Sequence, residues 1–516
     1  MVAIKRALLS CHDKTGLDVF AQALAAHGVE LIASGGTADF LRQRGLTVRS
    51  VDDFTGSGEQ LDGRVKTLHP KIHAGLLARR DDPAHVQAVG ANGLLDLIVV
   101  NLYPFRETVR RPGVSLAEAV EQIDIGGVAL LRAAAKNFAY VAAVSGPEQY
   151  AAVADALRAG KGTLPAALAK QLALDAFRLT STYDADIHGY LAGTAPAEGA
   201  AGLPASASVR VRQRQPLRYG ENPHQQGAWY LPADETAWGL GTLRQLQGKE
   251  LSYNNLLDMD AAVRCLLEFD EPACAIIKHH SQCGLASAAG LTEAYARAFA
   301  CDSESAFGGI VGCNRPIDAA LAEELAATFL EVIVAPAVEP AAAERLKKKP
   351  NLRVVTMAWP ASAGAAVEWR QLLGGWLLQE ADRLLLEPKS LRVATKRQPT
   401  EPERLDLLFA WKAAKHVQSN GIVLASRLAT VGIGQGQPSR VGSVRLALQH
   451  AGARARGAVA ASDGFFPFPD SVELLAQAGV TAVIQPGGSI RDADVIAAAD
   501  RAKVAMLVTG IRHFRH

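Results

Sequence analysis

The sequence has 516 residues, 54 of them Lys or Arg and 52 Asp or Glu, so its formal net charge is +2; 21% are charged and 49% hydrophobic. At ~150 residues per domain this predicts about three compact units, and the apolar content excludes a disordered chain. The near-neutral balance removes whole-protein basicity as a reason for nucleic-acid or membrane binding, and 6% aromatics argue against a base-stacking platform.

Through residue 190, short β-branched runs alternate with amphipathic stretches. Leu17, Phe20 and Leu24 recur at helical spacing, and Val29 to Ala33 reads as a strand. Ser34-Gly35-Gly36-Thr37 follows as a turn, with a helix opening at Ala38. Leu97 to Val100 reads as a buried strand stopped by Tyr103-Pro104, Val128 to Lys136 as a helix, and Val141 to Val144 as a strand. Such alternation predicts a parallel sheet with helices on both faces. From 196 to 210 the chain is Ala-, Gly-, Pro- and Ser-rich without periodicity. That stretch is expected to be a linker between a domain over 1–195 and one over 211–516. The second part alternates again, with strands expected at 275–277, 332–334, 422–424, 482–484 and 506–508, and two subdomains divided near 361–370.

Six cysteines (11, 265, 274, 283, 301 and 313) include no C-x-x-C pair, which predicts reduced thiols in a cytoplasmic protein without structural zinc. The N-terminus lacks the apolar core of a signal peptide, and no run of ~18 uncharged apolar residues is present to span a bilayer. Several familiar motifs are missing: G-x-x-x-x-G-K-[ST], H-E-x-x-H, G-x-S-x-G, and the H-x-E and P-C-x-x-C pair of zinc deaminases. Gly432-Ile433-Gly434-Gln435-Gly436-Gln437 fails the dinucleotide fingerprint at its last position.

Three segments of the first part suit an anion. Ser34-Gly35-Gly36-Thr37 lies between a strand and a helix, where backbone N–H groups are free. Gly63-Arg64-Val65-Lys66-Thr67 packs two cations and a hydroxyl beside a glycine, and Asp124-Ile125-Gly126-Gly127 leads into a helix. Each alone also fits a bland role: a capped glycine turn, a solvated basic loop, an N-capping Asp. In the second part, Lys278-His279 ends an apolar strand, where open α/β sheets bind ligands, although a surface basic pair reads equally well. Arg218 to Gln225, Ser305 to Gly309, Gln418-Ser419-Asn420, Ser439-Arg440, Ser462 to Asp470, Gly487 to Arg491 and Arg512-His513-Phe514 are the remaining polar or turn-rich candidates.

These strings, in this order, resemble the bifunctional purine-biosynthesis family that joins phosphoribosylaminoimidazolecarboxamide formyltransferase to inosine monophosphate (IMP) cyclohydrolase. The likeness runs end to end. It rests on Gly-Arg-Val-Lys-Thr-Leu-His-Pro at 63–70, Asn-Leu-Tyr-Pro-Phe at 101–105, Ile-Asp-Ile-Gly-Gly at 123–127 and Arg-Tyr-Gly-Glu-Asn-Pro-His-Gln at 218–225. Leu-Ser-Tyr-Asn-Asn at 251–255, Lys-Arg-Gln-Pro-Thr at 396–400 and Gln-Pro-Gly-Gly-Ser-Ile-Arg at 485–491 complete it.

The resemblance implies an α/β fold: an N-terminal methylglyoxal-synthase-like parallel-sheet domain, then a tandem of cytidine-deaminase-like α/β subdomains without zinc. It implies formyl transfer from 10-formyltetrahydrofolate, as co-substrate, to the 5-amino group of the aminoimidazole carboxamide ribotide, followed by dehydrative closure to IMP. Ribotides and folate are the expected partners, with no nucleic acid or membrane, in a homodimer without metal or tightly bound cofactor. For cyclisation it implies Lys66, Tyr103, Asp124 and Lys136 as catalytic. Ser10, Lys14, Ser34, Gly35, Gly36, Thr37, Arg64, Thr67, Asn101, Gly126 and Gly127 would hold the nucleotide.

For transfer, His279 is the candidate base, with Lys278 and Asn420 assisting; general-base catalysis contributes roughly 10²–10⁴-fold. Arg218, Tyr219, Gly308, Arg440, Phe465 and Arg512 would hold the ribotide, and Pro467, Phe468 and Asp470 the folate. The chain departs from the family pattern at His280-Ser281-Gln282, where a proline usually precedes the Cys, at Pro469 and at His12. The missing proline is expected to loosen the loop that aims His279, and His280 is a rival base. Two other readings remain: a cyclohydrolase with an impaired transferase half, and a non-catalytic ribotide-binding regulator.

Overall fold

A computed structural model describes residues 1–61, 63–194, 203, 207, 209–233, 237–361, 367–384, 386 and 391–516. The chain divides into two compact units, Met1–Ala205 and Ser206–His516. Most of the expected linker over 196–210 lies outside the described residues, as does 362–366 within the expected subdomain division.

The first unit is built on a parallel sheet in the order Arg49–Ser50, Glu30–Ala33, Arg6–Cys11, Leu97–Asn101, Ala142–Val144. Alternate residues of its strands enter two different cores. Leu9, Leu31 and Val99 pack on one face, and Leu8, Ile32, Ile98 and Val100 on the other. Burial on both faces is why Leu97 to Val100 is continuously apolar rather than alternating. Successive strands step outward in one direction from Arg6–Cys11, and the chain then crosses to its other side at Leu97–Asn101. The crevice beyond the carboxyl ends of these two strands is therefore the topological switch point, where such sheets bind ligands. Helix Gly35–Arg42 begins three residues earlier than the sequence suggests: the two glycines form its first turn rather than a separate loop.

The second unit holds a twelve-stranded mixed sheet among the described residues. Its order is Arg244–Gln247, Arg353–Thr356, Val332–Ala335, Ile310–Cys313, Ala273–Lys278, Ser281–Ser287, then Ala429–Gly434, Ile422–Ser426, Val459–Ser462, Ala482–Gln485, Ala505–Val508 and Arg392–Val393. Read from either edge, the pairing is antiparallel, parallel, parallel, antiparallel, antiparallel, and the halves meet at Ala286 opposite Ala429. The unit is thus two copies of one motif related by a pseudo-twofold axis through that central pair, sharing one sheet. Helices Tyr253–Leu266 and Glu401–Ala414, one from each copy, are equally long and each starts with a capping box, at Ser252 and at Thr400. Residues from both helices lie in one continuous core.

The glycines of 432–436 serve packing. A Cβ on Gly434 would collide with the Ser443 carbonyl of helix Arg440–Ala451, so only glycine lets that helix lie against the strand.

Candidate active sites

At the first unit's switch point the side chains of three strand ends and two helix starts meet. Ser34 precedes helix Gly35–Arg42 without capping it, and its hydroxyl instead donates to Ser10 Oγ at 2.9 Å. The helix therefore presents first-turn N–H groups with no side-chain cap, and the dipole favours an anion there. Thr37 Oγ1 is buried and both accepts from the Cys11 N–H (3.1 Å) and donates to its carbonyl (3.2 Å). Asn101 Oδ1 accepts the N–H groups of His12 (2.6 Å) and Asp13 (2.9 Å). Both side chains are thus tied to the loop that follows strand Arg6–Cys11. Lys14 reaches back to the His12 carbonyl at 3.4 Å.

Lys66 pairs with Glu59 at 3.0 Å, and its ammonium lies 3.8 Å from where a Cβ on Gly35 would stand. Arg64 forms an exposed ion pair with Glu121. A Cβ on Gly126 would lie 2.8 Å from Thr67 Oγ1, so glycine there leaves room for the Thr67 hydroxyl beside the start of helix Gly126–Lys136.

Asp124 sits at the same helix start. Its Oδ1 accepts the Gly127 N–H at 2.7 Å, while its own N–H donates to Tyr183 Oη at 2.8 Å. Burial raises its carboxyl above the ordinary range, partly offset by the N–H groups of Gly127 and Tyr103 and by His12. Tyr103 is exposed, and the His12 ring stands edge-on to it with centroids 5.4 Å apart. Lys136 is different. It ends the eleven-residue helix that Gly126 begins, about 15 Å along the axis, and is exposed. The chain does not bring it to Asp124.

In the second unit Lys278, His279 and His280 form a hairpin tip. The pair Lys278-His279 ends strand Ala273–Lys278 as the sequence suggests, but that strand is antiparallel to both its neighbours, so the pair lies in a hairpin turn. His279 and His280 both have positive φ (52° and 62°), and the Asp258 carboxylate accepts their N–H groups at 3.1 and 2.6 Å. Burial raises the Asp258 carboxyl, against those two donors. Gln282, expected in a loosened loop, is instead a buried strand residue paired with Ile277. Its Nε2 reaches only Cys265 Sγ (3.2 Å), and its Oε1 has no partner.

The strand directions put Asn420, Gln435, Asp463 and Thr509 at the same sheet edge as this tip. Asn420 Nδ2 donates to the Gln437 carbonyl (2.9 Å), and its Oδ1 accepts from Arg440 (2.7 Å). Arg440 also bonds Ser462 Oγ (2.8 Å) and Asp463 Oδ1 (2.5 Å) and is 7% exposed. Its fork is engaged inside the protein, so it holds Asn420 and Asp463 together rather than presenting a free guanidinium to a ribotide, as the sequence suggests.

Lys278 Nζ donates to the Phe307 carbonyl at 2.7 Å, and neighbouring Gly308, at φ +74°, donates its N–H to the Phe329 carbonyl. Phe465 and Phe468 are exposed on either side of partly covered Pro467, and Arg491 lies over Phe468 at 5.0 Å. Asp470 begins helix Asp470–Gln477. Arg218 lies over Tyr219 at 5.4 Å, in a loop joined to the start of helix Tyr253–Leu266 by Asn254 Nδ2 and the Glu221 carbonyl, 3.4 Å. Arg512 stacks on Phe514 at 4.3 Å.

Sequence reading missed Asp258, Asp463 and Arg515 as organisers of this edge. A signal existed for the first. Asp258 stands six residues after the Ser252 cap as Asp406 stands six after Thr400, and Asp406 likewise accepts the N–H groups of Arg427 (2.9 Å) and Leu428 (2.7 Å) at the equivalent tip.

The AICARFT/IMPCHase bienzyme family model matches residues 134–450, and an MGS-like domain matches 16–129. The chain belongs to the AICARFT/IMPCHase bienzyme family. The bifunctional purine biosynthesis protein PurH of Cyanothece sp. is 52% identical over 99% of both chains. The PurH proteins of Nostoc punctiforme (50%) and Synechococcus elongatus (51%) are also similar over 99% of both chains. Among solved structures, one described as the crystal structure of ForH is 33% identical, covering 37% of this chain and 100% of its own at a TM-score of 0.35.

As a member of the bienzyme family, the protein is a formyltransferase and a cyclohydrolase for the last two steps of IMP biosynthesis. Its formyl donor is folate-derived. No described helix is long and apolar enough to cross a membrane, and no three His, Cys, Asp or Glu side chains among the described residues are grouped to hold a metal.

Proposed function

We propose that the two reactions are divided between the two sheet edges just described. At the hairpin edge the ribotide's 5-amino nitrogen attacks the formyl carbon of 10-formyltetrahydrofolate. His279 removes the amine proton, and Lys278 donates to the oxygen that gains charge and then to the departing folate nitrogen. Asn420 orients the carboxamide. Arg218, Tyr219, Gly308, Phe465 and Arg512 hold the ribotide, and Pro467, Phe468 and Asp470 the folate. The observation that carries this reading is the convergence of Lys278-His279 and the Asn420–Arg440–Asp463 network on one edge of one sheet.

At the switch point of the first unit, the carboxamide nitrogen attacks the new formyl carbon within the same molecule, and water leaves. Reactants sharing one molecule need mainly positioning. Ser10, Lys14, Ser34, Gly35, Gly36, Arg64, Thr67, Gly126 and Gly127 surround the nucleotide, with Thr37 and Asn101 fixing the loop beneath it. Lys66 and Tyr103 stabilise the carbonyl oxygen, and Asp124 moves the proton. Lys136 takes no part within one subunit.

The assembly proposed is a homodimer in the cytoplasm. The exposed Trp369, Leu373, Trp376 and Leu377 of the hairpin Val367–Leu372/Gly375–Glu380 favour burial against another chain. The test supplies ribotide with 10-formyltetrahydrofolate, and separately the formylated ribotide alone. Both mixtures should yield IMP; IMP from the second only would leave a cyclohydrolase with an inactive transferase half.

A further inference from the structure

The segment after strand Ala505–Val508 runs along the transferase edge with its residues alternating in direction. His513 is 3% exposed, with Nδ1 2.5 Å from Asp382 and its ring 5.2 Å from Trp411. Arg515 also turns inward. Its N–H donates to Ser419 Oγ (3.3 Å), its carbonyl accepts the Ser419 N–H (2.9 Å), and its guanidinium reaches the His416 carbonyl (3.4 Å) and His280 Nε2 (3.3 Å). On either side of His513, Arg512 and Phe514 face outward, with Phe514 lying against Gly464.

Arginine has donors only, so the His280 nitrogen facing it must be the acceptor of a neutral ring. Partial burial and the Arg515 charge both lower the His280 pKa, in keeping with that state. A ring whose free lone pair is already taken by Arg515 is poorly placed to remove a proton from substrate. The contact instead links three parts. Ser419 Oγ also bonds Asp463, which bonds Arg440, which bonds Asn420. The line therefore runs from the hairpin that bears His279, through Arg515, to Asn420.

We propose that Arg515 and His280 are positioning residues for formyl transfer: their contact docks the segment Thr509–Arg515 onto the His279 hairpin and so sets Arg512 for the ribotide. This rests on the site assignment of the preceding subsection. It also removes His280 as a rival base.

The test uses the full-length protein, with steady-state transfer measured against both ribotide and 10-formyltetrahydrofolate and cyclisation of the formylated ribotide as a folding control. Arg515→Ala and His280→Ala should each raise the ribotide KM about 10-fold, the loss expected for one positioning hydrogen bond. Transfer kcat should stay within about 3-fold, and cyclisation should be unchanged. The double variant should be no worse than either single one, because both remove the same contact. His280→Gln, whose side-chain carbonyl can accept from Arg515, should restore most of the KM.

A kcat loss of ~10² or more in His280→Ala with KM unchanged would make His280 a base and overturn the proposal. So would additive single effects or an unaltered KM in Arg515→Ala. Arg512→Ala separates the two layers. If it leaves the ribotide KM unchanged, the site assignment itself is wrong; if it raises KM while Arg515→Ala does not, only the docking role fails.

Discussion

Asp124 and His279, the two groups proposed to move protons, stand in very different surroundings. Asp124 is a carboxylate pulled out of water beside a helix start, so burial raises its pKa while two N–H groups and His12 restrain the rise. It ionises at higher pH than an ordinary Asp. The cyclisation rate should therefore rise with pH along a limb displaced upward from the usual carboxylate range, and Asp124→Asn should remove that limb and cut the rate by about 10². A pH–rate profile on the formylated ribotide measures both. His279 is an exposed ring on a fixed backbone. His279→Ala should lower transfer at least ~10²-fold and spare cyclisation, and Lys66→Ala should do the reverse. Equal loss of both activities in either variant would contradict the division into two sites. At this scale the sequence marks Lys66, Asp124 and Lys278-His279 as candidates, because they sit in distinctive strings. It does not show that the Arg440 fork is engaged internally or that Lys136 ends the helix Gly126 begins, because neither an arginine's internal partners nor the length of the helix between two residues is written in its immediate neighbours.

Among the elements, the repeated hairpins of the second unit allow a controlled comparison. Asp258 and Asp406 occupy the same position in equally long helices, and each holds two N–H groups of a left-handed tip. Replacing either by Ala leaves two donors without their acceptor and should cost about 1–3 kcal/mol in denaturant unfolding. Only Asp258→Ala should reduce formyl transfer, because the Arg427-Leu428 tip lies at the opposite sheet edge. Just beyond the C-terminal ends of the same two helices, Glu268 meets Lys415 and His416. Burial alone would raise its carboxyl, but a hydrogen bond from His416 Nε2 (3.1 Å) and Lys415 at 2.9 Å bring it down to about 2. Burial lowers the His416 pKa as well, so Lys415 supplies the charge and His416 a neutral donor.

With its folded pKa below the ordinary 4.5, Glu268 contributes stability fully above that value and loses it as pH falls toward 2. Glu268→Gln should flatten the acid limb of unfolding in that window. All six tryptophans lie in the second unit, so their fluorescence follows this unit alone.

For the whole molecule, the arrangement predicts complementation. Lys66→Ala protein should accumulate formylated ribotide, His279→Ala protein should form none, and a mixture should again convert ribotide to IMP. Failure of the mixture, with each surviving activity intact, would mean that the intermediate does not pass between molecules.

The sequence by itself determined the alternating α/β class and the strings that identify the family, because these depend on periodicity and local residue order. It did not reveal that the second part is one sheet with a pseudo-twofold axis. The two copies share spacing of caps, acids and tips rather than residue identity, so the repeat is visible only once strand directions are known. Only the tertiary structure decided which of the candidate residues share one sheet edge. Antiparallel pairing turns Lys278-His279 into a hairpin tip, and the strand directions bring Asn420, Asp463 and Arg515 to it from far along the chain. The near-zero net charge hid this, since the cations that matter act through local partners: Lys66 with Glu59, Arg440 with Asp463, and Arg515 with His280.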